Sequence, residues 1–174
     1  MNVMWELILT RMVLYKEEKS MALRKVVTEG DEILRKHCRE VTAVTDRIRM
    51  TLDDMVETMR EEYGVGLAAP QIGIMRRMFV AEPEPGKVYY MINPEILETE
   101  GSVESEEGCL SVPGMMGTVD RPERIKIKAL GYNGEEQYYE LEGFEAIVMS
   151  HESDHLDGIL YIDKARNIRP VEAE

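Results

Sequence analysis

Residues 151–155 read His-Glu-Ser-Asp-His, and their types and spacing indicate chemistry more directly than any other part of the sequence. If they lie on a helix, the two histidines project from one face, close enough to bind one metal ion. Glu152 lies beside the first histidine, where its carboxylate can reach a water molecule on that metal. The chain has only three histidines and two of them are in this segment, so a chance occurrence of the spacing is improbable. It predicts metal-assisted hydrolysis.

A catalytic metal site usually has three protein ligands and a water molecule, so a third ligand is needed. The candidates are Cys109, Cys38, His37 and nearby acidic residues. Cys109 follows a glycine and could reach the metal as a thiolate, although a free cysteine can also be a small buried hydrophobe. Cys38 lies beside His37 in a highly charged segment. We predict that Cys38 is at the surface and assign it no role.

The segment 64–73 reads Gly-Val-Gly-Leu-Ala-Ala-Pro-Gln-Ile-Gly and lets another backbone approach closely. It lacks the Lys and Ser/Thr of a phosphate-binding loop and does not match the dinucleotide-binding pattern. Gln71 is polar within this small, apolar run, so we expect its side chain to point at a specific group.

Hydrophobic spacing predicts the elements that position these residues. One helix is expected over Asp46–Tyr63, with an apolar stripe at Ile48, Leu52, Met55 and Met59. Short strands are expected at Met75–Val80, Val88–Ile92 and Arg124–Leu130, the last forming a hairpin through Asn133-Gly134 with Gln137–Leu141. A second, amphipathic helix over Gly143–Leu156 would carry both histidines on an inward face. This order predicts an α+β fold, with antiparallel or mixed sheets packed around a central helix carrying the metal motif.

Length and charge restrict the remaining possibilities. The 174 residues fit one domain, and 34 acidic against 21 basic side chains give a net charge of −13. Such a surface repels phosphate backbones, so direct nucleic-acid binding is not expected. Residues 1–20 are too short and too charged for a membrane span and lack the pattern of a secretory signal. We expect an extension or an upstream start there, with an accessory helix as the alternative, ahead of a catalytic domain over 21–174. Two cysteines give no sign of an oxidising compartment, so a cytoplasmic location is expected.

Three motifs occur in order: Gly-x-Gly-Leu-Ala-Ala-x-Gln from Gly64, Glu-Gly-Cys-Leu-Ser from Glu107, and His-Glu-x-Asp-His-Leu from His151. With Ile-Asn-Pro at 92–94 between the first two, the sequence resembles the peptide deformylase family from about Met21 to Pro170.

The resemblance implies roles for particular residues. The metal ligands would be Cys109, His151 and His155; Glu152 would be the general acid/base; and Gln71 with the Leu110 N–H would stabilise the oxyanion. Val65, Gly66 and Gly108 would flank the groove for an extended peptide, and Phe144, Ile147 and Val148 would line the pocket for a methionine side chain. Arg121 would pair with Glu107 behind the metal-binding cysteine.

The resemblance also implies the reaction: a metal-bound hydroxide attacks the formyl carbon of an N-formylmethionyl peptide and releases formate. The family metal is Fe(II), whereas a thiolate and two imidazoles suit zinc equally well, so Zn, Ni or Co could occupy a purified sample. We expect a monomer that acts on formylated nascent peptides, with no membrane association.

Two departures from the family pattern bear on these expectations. Ser150 replaces the glutamine that usually precedes the first histidine, which could change metal affinity or activity. The chain stops at Glu174, without the long C-terminal helix of many relatives, which weakens the expectation of ribosome docking. The alternatives are a zinc endopeptidase, disfavoured by a cysteine ligand and a short groove motif, and a non-enzymatic metal-bound interaction module, disfavoured by the presence of Glu152 and Gln71.

Overall fold

The structure is a computed structural model that describes residues 22–171. It has an α+β fold with two antiparallel sheets and a helix towards the C-terminal end. The elements, in chain order, are α1 (Asp46–Glu61), β1 (Gly66–Ala68), β2 (Met78–Glu84), β3 (Lys87–Glu100), β4 (Val103–Cys109), β5 (Val112–Arg121), β6 (Arg124–Leu130), β7 (Glu136–Glu142), α2 (Gly143–Leu156) and β8 (Arg166–Pro170), with short 3₁₀ turns at Glu32–Arg35, Ala69–Ile72 and Tyr161–Asp163. The predicted extension over residues 1–20 lies outside the described residues. Within residues 22–171, no helix is both long and apolar enough to cross a membrane.

Helix α1 begins where the sequence predicts and packs its apolar stripe inward. The Thr45 side chain caps the helix by accepting a hydrogen bond from the Ile48 N–H. Leu52, Met55 and Met59 are fully buried, because spacings of three and four residues place them on one face. The helix ends at Glu61, two residues before the predicted end.

The larger sheet has the strand order β1-β2-β3-β6-β7. The alternation predicted for β6 is confirmed: Ile125 and Ile127 are buried, whereas Lys126 and Lys128 pair with glutamates on the outer face. β6 and β7 form the predicted hairpin, in register from Arg124–Glu142 to Leu130–Glu136. The predicted second strand is longer than expected, since β3 continues past the Ile-Asn-Pro motif to Glu100. Strand β1 forms a free edge of this sheet.

The smaller sheet, β4-β5-β8, was not predicted. Its first two strands form a hairpin in which Cys109 pairs with Val112 across a two-residue connection. The segment 101–111, which contains β4, is rich in Gly, Glu and Ser, so it lacks the alternation of apolar and polar residues by which strands are recognised. This hairpin places Cys109 at the end of β4, the other free sheet edge.

Helix α2 has the predicted bounds, Gly143–Leu156. The predicted amphipathic character is wrong, because buried residues occur all around the helix and Phe144, on the expected inward face, is 53% exposed. The physical reason is that α2 packs against strands of both sheets, so several of its sides are covered. The side bearing Phe144 faces an open cleft instead.

Candidate metal centre

Cys109, His151 and His155 meet at one point. Their donor atoms all lie within 4.8 Å of one another, and they are a Cys/His set that could hold a metal ion. Cys109 Sγ is 3.4 Å from His155 Nε2, and the two imidazole rings are 5.0 Å apart between centroids. The end of β4 supplies the cysteine, and α2 supplies both histidines from adjacent turns.

A buried ion-pair network orients His151. Its Nδ1 lies 2.8 Å from Glu107 Oε2, and Glu107 receives two further hydrogen bonds from Arg121, of 2.7 and 2.8 Å. Arg121 also donates to Asp154 at 2.6 Å. Burial raises the pKa of Glu107, but the hydrogen bonds from Arg121 and His151 outweigh it and hold that pKa at about 2. The ionised Glu107 therefore fixes Nδ1 of His151 as a donor and leaves Nε2 available as a ligand atom.

The donor set fits a divalent cation. Burial, His151 and Arg121 push the pKa of His155 well below its usual value, so its ring is neutral and has a free lone pair. Burial also lowers the pKa of His151, but hydrogen bonds to Cys109 and Glu107 outweigh it and raise the pKa to about 10. Negative groups around His151 therefore favour a positive charge at this point, which a metal ion supplies. One thiolate, two imidazoles and an open side match the ligand count of a catalytic site.

Glu152 follows the donor residue His151 on α2 and lines the cleft together with His151 and Cys109. It is buried, and its Oε2 has no hydrogen-bond partner among the described residues. Burial raises the pKa of Glu152 to about 7, against smaller lowering effects of His151 and Arg121. Such a carboxylate exchanges protons near neutral pH, as a general acid/base requires.

Gln71 is held with its amide nitrogen towards the cysteine. Its Oε1 accepts a hydrogen bond from the Ala68 N–H at 2.8 Å. Its Nε2 therefore faces the other way, 3.1 Å from Ser111 Oγ and 3.5 Å from Cys109 Sγ. Leu110, which follows Cys109, also lines the cleft.

The cleft has a volume of about 500 Å³ and brings together the other residues named from the sequence. It opens between the free edge at β1 and the end of β4. Its lining includes Val65, Gly66, Gly108, Phe144, Ile147 and Val148.

The prediction for Cys38 is wrong. Cys38 is 1% exposed and belongs to the core cluster that includes Leu156, although its neighbours in sequence are charged. Burial raises the pKa of its thiol to about 11. His37 points outward and contacts Asp157 instead of the cysteine–histidine cluster. Neither residue joins the site.

Several residues that sequence reasoning missed surround the site. Tyr161 stacks on His151 with ring centroids 6.2 Å apart, and Asp154 anchors Arg121. Ser111 contacts Gln71. Asp154 and Ser111 stood inside quoted motifs, which was the signal that could have found them. Ser150 donates to the Ala146 carbonyl at 2.7 Å, within its own helix.

Comparisons with known proteins agree with this geometry. The family model described as polypeptide deformylase matches residues 23–171. A peptide deformylase of Symbiobacterium thermophilum is 49% identical over 153 residues, covering 87% of this chain and 70% of that protein. The crystal structure of peptide deformylase from Thermotoga maritima has a TM-score of 0.81 at 42% identity, covering 83% of this chain and 99% of that one. A class I type b peptide deformylase from Acinetobacter baumannii, solved bound to Met-Ala-Ser, has a TM-score of 0.79 at 36% identity, covering 83% of this chain and 99% of that one. With its Cys/His/His cluster and neighbouring Glu152, this chain belongs to the polypeptide deformylase family.

Proposed function

We propose that the protein hydrolyses the N-terminal formyl group of formyl-methionyl peptides and releases formate and a free α-amine. The observation that carries the proposal is the convergence of Cys109, His151 and His155 at a cleft that Cys109, His151 and Glu152 line. Family membership supports the same reaction.

Cys109, His151 and His155 would hold one divalent cation. When bound, the cation lowers the pKa of its water ligand and so makes a hydroxide available near neutral pH. Glu152 accepts the proton of the attacking water at a carboxylate oxygen. It then delivers that proton to the amine that leaves as the C–N bond breaks. The buried carboxyl with a pKa of about 7 is suited to both transfers.

The negative charge that develops on the formyl oxygen, as water adds to the formyl carbon, requires hydrogen-bond donors. Gln71 Nε2, which lies 3.5 Å from Cys109 Sγ, and the Leu110 N–H are the proposed pair. A neutral amide donates without adding charge, and loss of one such donor typically lowers the rate by about 10²–10³. The Ala68 N–H supports this role for Gln71, because it holds Oε1 away from the reacting centre.

The peptide would lie extended between the two strand edges that border the cleft. Val65 and Gly66 would flank it on one side and Gly108 on the other. Phe144, Ile147 and Val148 on α2 form the apolar wall for the methionine side chain. The relative from Acinetobacter baumannii bound to Met-Ala-Ser supports a peptide in this position.

We propose Fe(II) as the resident metal, by family resemblance, with zinc, nickel or cobalt as replacements in a purified sample. We also propose that α2 is the central helix of the fold, supported by its packing against strands of both sheets. The catalytic domain would span residues 21–174, supported by the family match over 23–171. The protein would act as a cytoplasmic monomer on nascent chains, without direct nucleic-acid or membrane binding.

The test is formate release from formyl-Met-Ala-Ser by protein purified anaerobically, with metal analysis of the same sample. We expect about one metal per chain and no cleavage of internal peptide bonds. Glu152→Gln should keep the metal and lower kcat by about 10²–10⁴, since proton transfer is lost. Glu98→Gln, on the outer face of the sheet, is the matched control and should keep full activity. Internal cleavage without formate release would instead indicate an endopeptidase.

A further inference from the structure

The hydroxyl of Ser111 lies fully buried beside the proposed oxyanion site. It accepts a hydrogen bond from Gln71 Nε2 at 3.1 Å. Ser111 is the last residue of the Glu-Gly-Cys-Leu-Ser motif, and the proposed reaction gives it no role.

Ser111 and Ala68 hold the Gln71 amide from opposite ends. The Ala68 N–H donates to Oε1 at 2.8 Å, and Ser111 Oγ accepts from Nε2. A flip of the amide would place nitrogen against a donor and oxygen against the serine, and so break the hydrogen bond from Ala68. The two contacts therefore keep an N–H of Gln71 directed to the Cys109 side.

The backbones of Gln71 and Ser111 are also held together. The Val27 N–H donates to the Gln71 carbonyl at 2.8 Å, and the Glu29 N–H donates to the Ser111 carbonyl at 2.7 Å. One short segment thus connects the 3₁₀ turn that carries Gln71 to the β4–β5 hairpin that carries Ser111. The hydroxyl–amide contact is fixed from both of its ends.

We propose that Ser111 is a positioning residue, which acts through Gln71 by preorganising its amide for the developing oxyanion. The inference rests on the proposed deformylase function. Donors that are already oriented stabilise a transition state without reorganisation, and small displacements of such groups are costly to the rate.

The test is a double-mutant cycle with Ser111→Ala and Gln71→Ala, measured on zinc-loaded protein with formyl-Met-Ala-Ser. Ser111→Ala should lower kcat by roughly ten- to hundredfold and leave KM within about twofold, because binding of the peptide does not use the amide. In the Gln71→Ala background, Ser111→Ala should cause no further loss. An equal loss in both backgrounds would overturn the proposal, since it would mean that Ser111 acts independently of Gln71.

A second measurement does not depend on turnover. The Gln71 side-chain amide can be assigned in ¹H–¹⁵N spectra of the zinc-loaded protein by its disappearance in Gln71→Ala. Ser111→Ala should shift both amide protons and speed their exchange with solvent by about tenfold or more, because a buried acceptor is lost. Unchanged amide signals would overturn the proposal even if the protein released no formate, which separates its failure from that of the proposed function.

Thr51→Val is the matched control. It removes another buried hydroxyl, one that donates to the Arg47 carbonyl of its own helix, away from the cleft. It should leave kcat and the Gln71 amide signals unchanged. If Thr51→Val reproduced both effects of Ser111→Ala, the effects would be general consequences of deleting a buried hydroxyl and the proposal would fail.

Discussion

Gly66 lies directly against the Glu152 side chain, so that a Cβ atom at position 66 would overlap the carboxylate. Strand β1 and helix α2 can approach this closely only because residue 66 has no side chain. We predict that Gly66→Ala displaces Glu152 and lowers kcat by about 10²-fold or more while the protein keeps its metal. Formate release and metal content on the same sample check this.

A cycle with Glu152→Gln distinguishes displacement from general damage. Gly66→Ala should add little to the loss already caused by Glu152→Gln, because both changes remove the same proton transfer. Full activity in Gly66→Ala would show that Glu152 tolerates the displacement and would contradict the prediction.

The two cysteines should differ sharply in reactivity. At pH 8, Cys38 with a pKa of about 11 is a thiolate in only about one molecule in a thousand, and its side chain is buried. Cys109 is partly exposed in the cleft. We predict that a thiol reagent modifies one cysteine in folded, chelator-treated protein, none in metal-loaded protein, and two after unfolding. Modification that persists in a chelator-treated Cys109→Ser variant would contradict this assignment.

Removal of the buried guanidinium of Arg121 should destabilise the fold strongly. It is 3% exposed and pairs with Glu107 and Asp154. Arg121→Met leaves Glu107 buried without its main partner, so we predict a fall of about 3–5 kcal/mol in the free energy of unfolding, measured with urea. The added change Glu107→Gln should recover part of the loss. Arg124→Met, at an exposed guanidinium, is the control, and an equal effect there would refute the argument.

Glu145 should stabilise the start of α2 in a pH-dependent way. That start has no side-chain cap, and Glu145 accepts hydrogen bonds from Lys87 and Tyr89, each of 2.7 Å. These contacts, Lys87 first, lower the pKa of Glu145. A carboxyl whose pKa is lower in the folded state contributes stability above its unfolded pKa of about 4.3, and loses it as the pH falls through the folded value. Glu145→Gln should therefore lower the melting temperature by about 1–4 °C at pH 7.

The difference between Glu145→Gln and the unchanged protein should shrink as the pH falls below about 4.3 and vanish below the lowered folded pKa, where both side chains are neutral. Chelator-treated protein at every pH value prevents metal loss from contributing to the measurement. A difference that keeps the same size as the pH is lowered would mean that the hydrogen bonds, and not the charge, cause the effect.

Parts of the fold governed by local spacing could be predicted from the sequence. Helix α2 was predicted with its observed bounds, since helical spacing of apolar residues begins at Gly143 and continues to Leu156. The β6–β7 hairpin followed from alternation and an Asn-Gly turn. Strands β4, β5 and β8 could not be predicted, because their pairing partners, and not their own residues, make them strands.

The same distinction applies to the site. The residues that meet at the metal centre could be grouped because they occur in family motifs. For His151 and His155, the sequence spacing on α2 was enough to place the two side chains next to each other. Cys38 was misplaced because its charged sequence neighbours say nothing about what packs over it from α2. Ser111 was missed because its contact with Gln71 joins residues 40 positions apart in sequence.

The cleft between β1 and β4 also restricts the proposed reaction to substrates whose N-terminus is still unfolded. In the proposed binding mode, two facing strand edges would recognise a peptide through its main chain, and only a chain with free amide and carbonyl groups could pair with them. An N-terminus already folded into a helix or sheet offers none. The proposed reaction therefore has to precede the folding of its own substrates, and proteins whose first residues fold early would have the shortest interval in which to lose the formyl group.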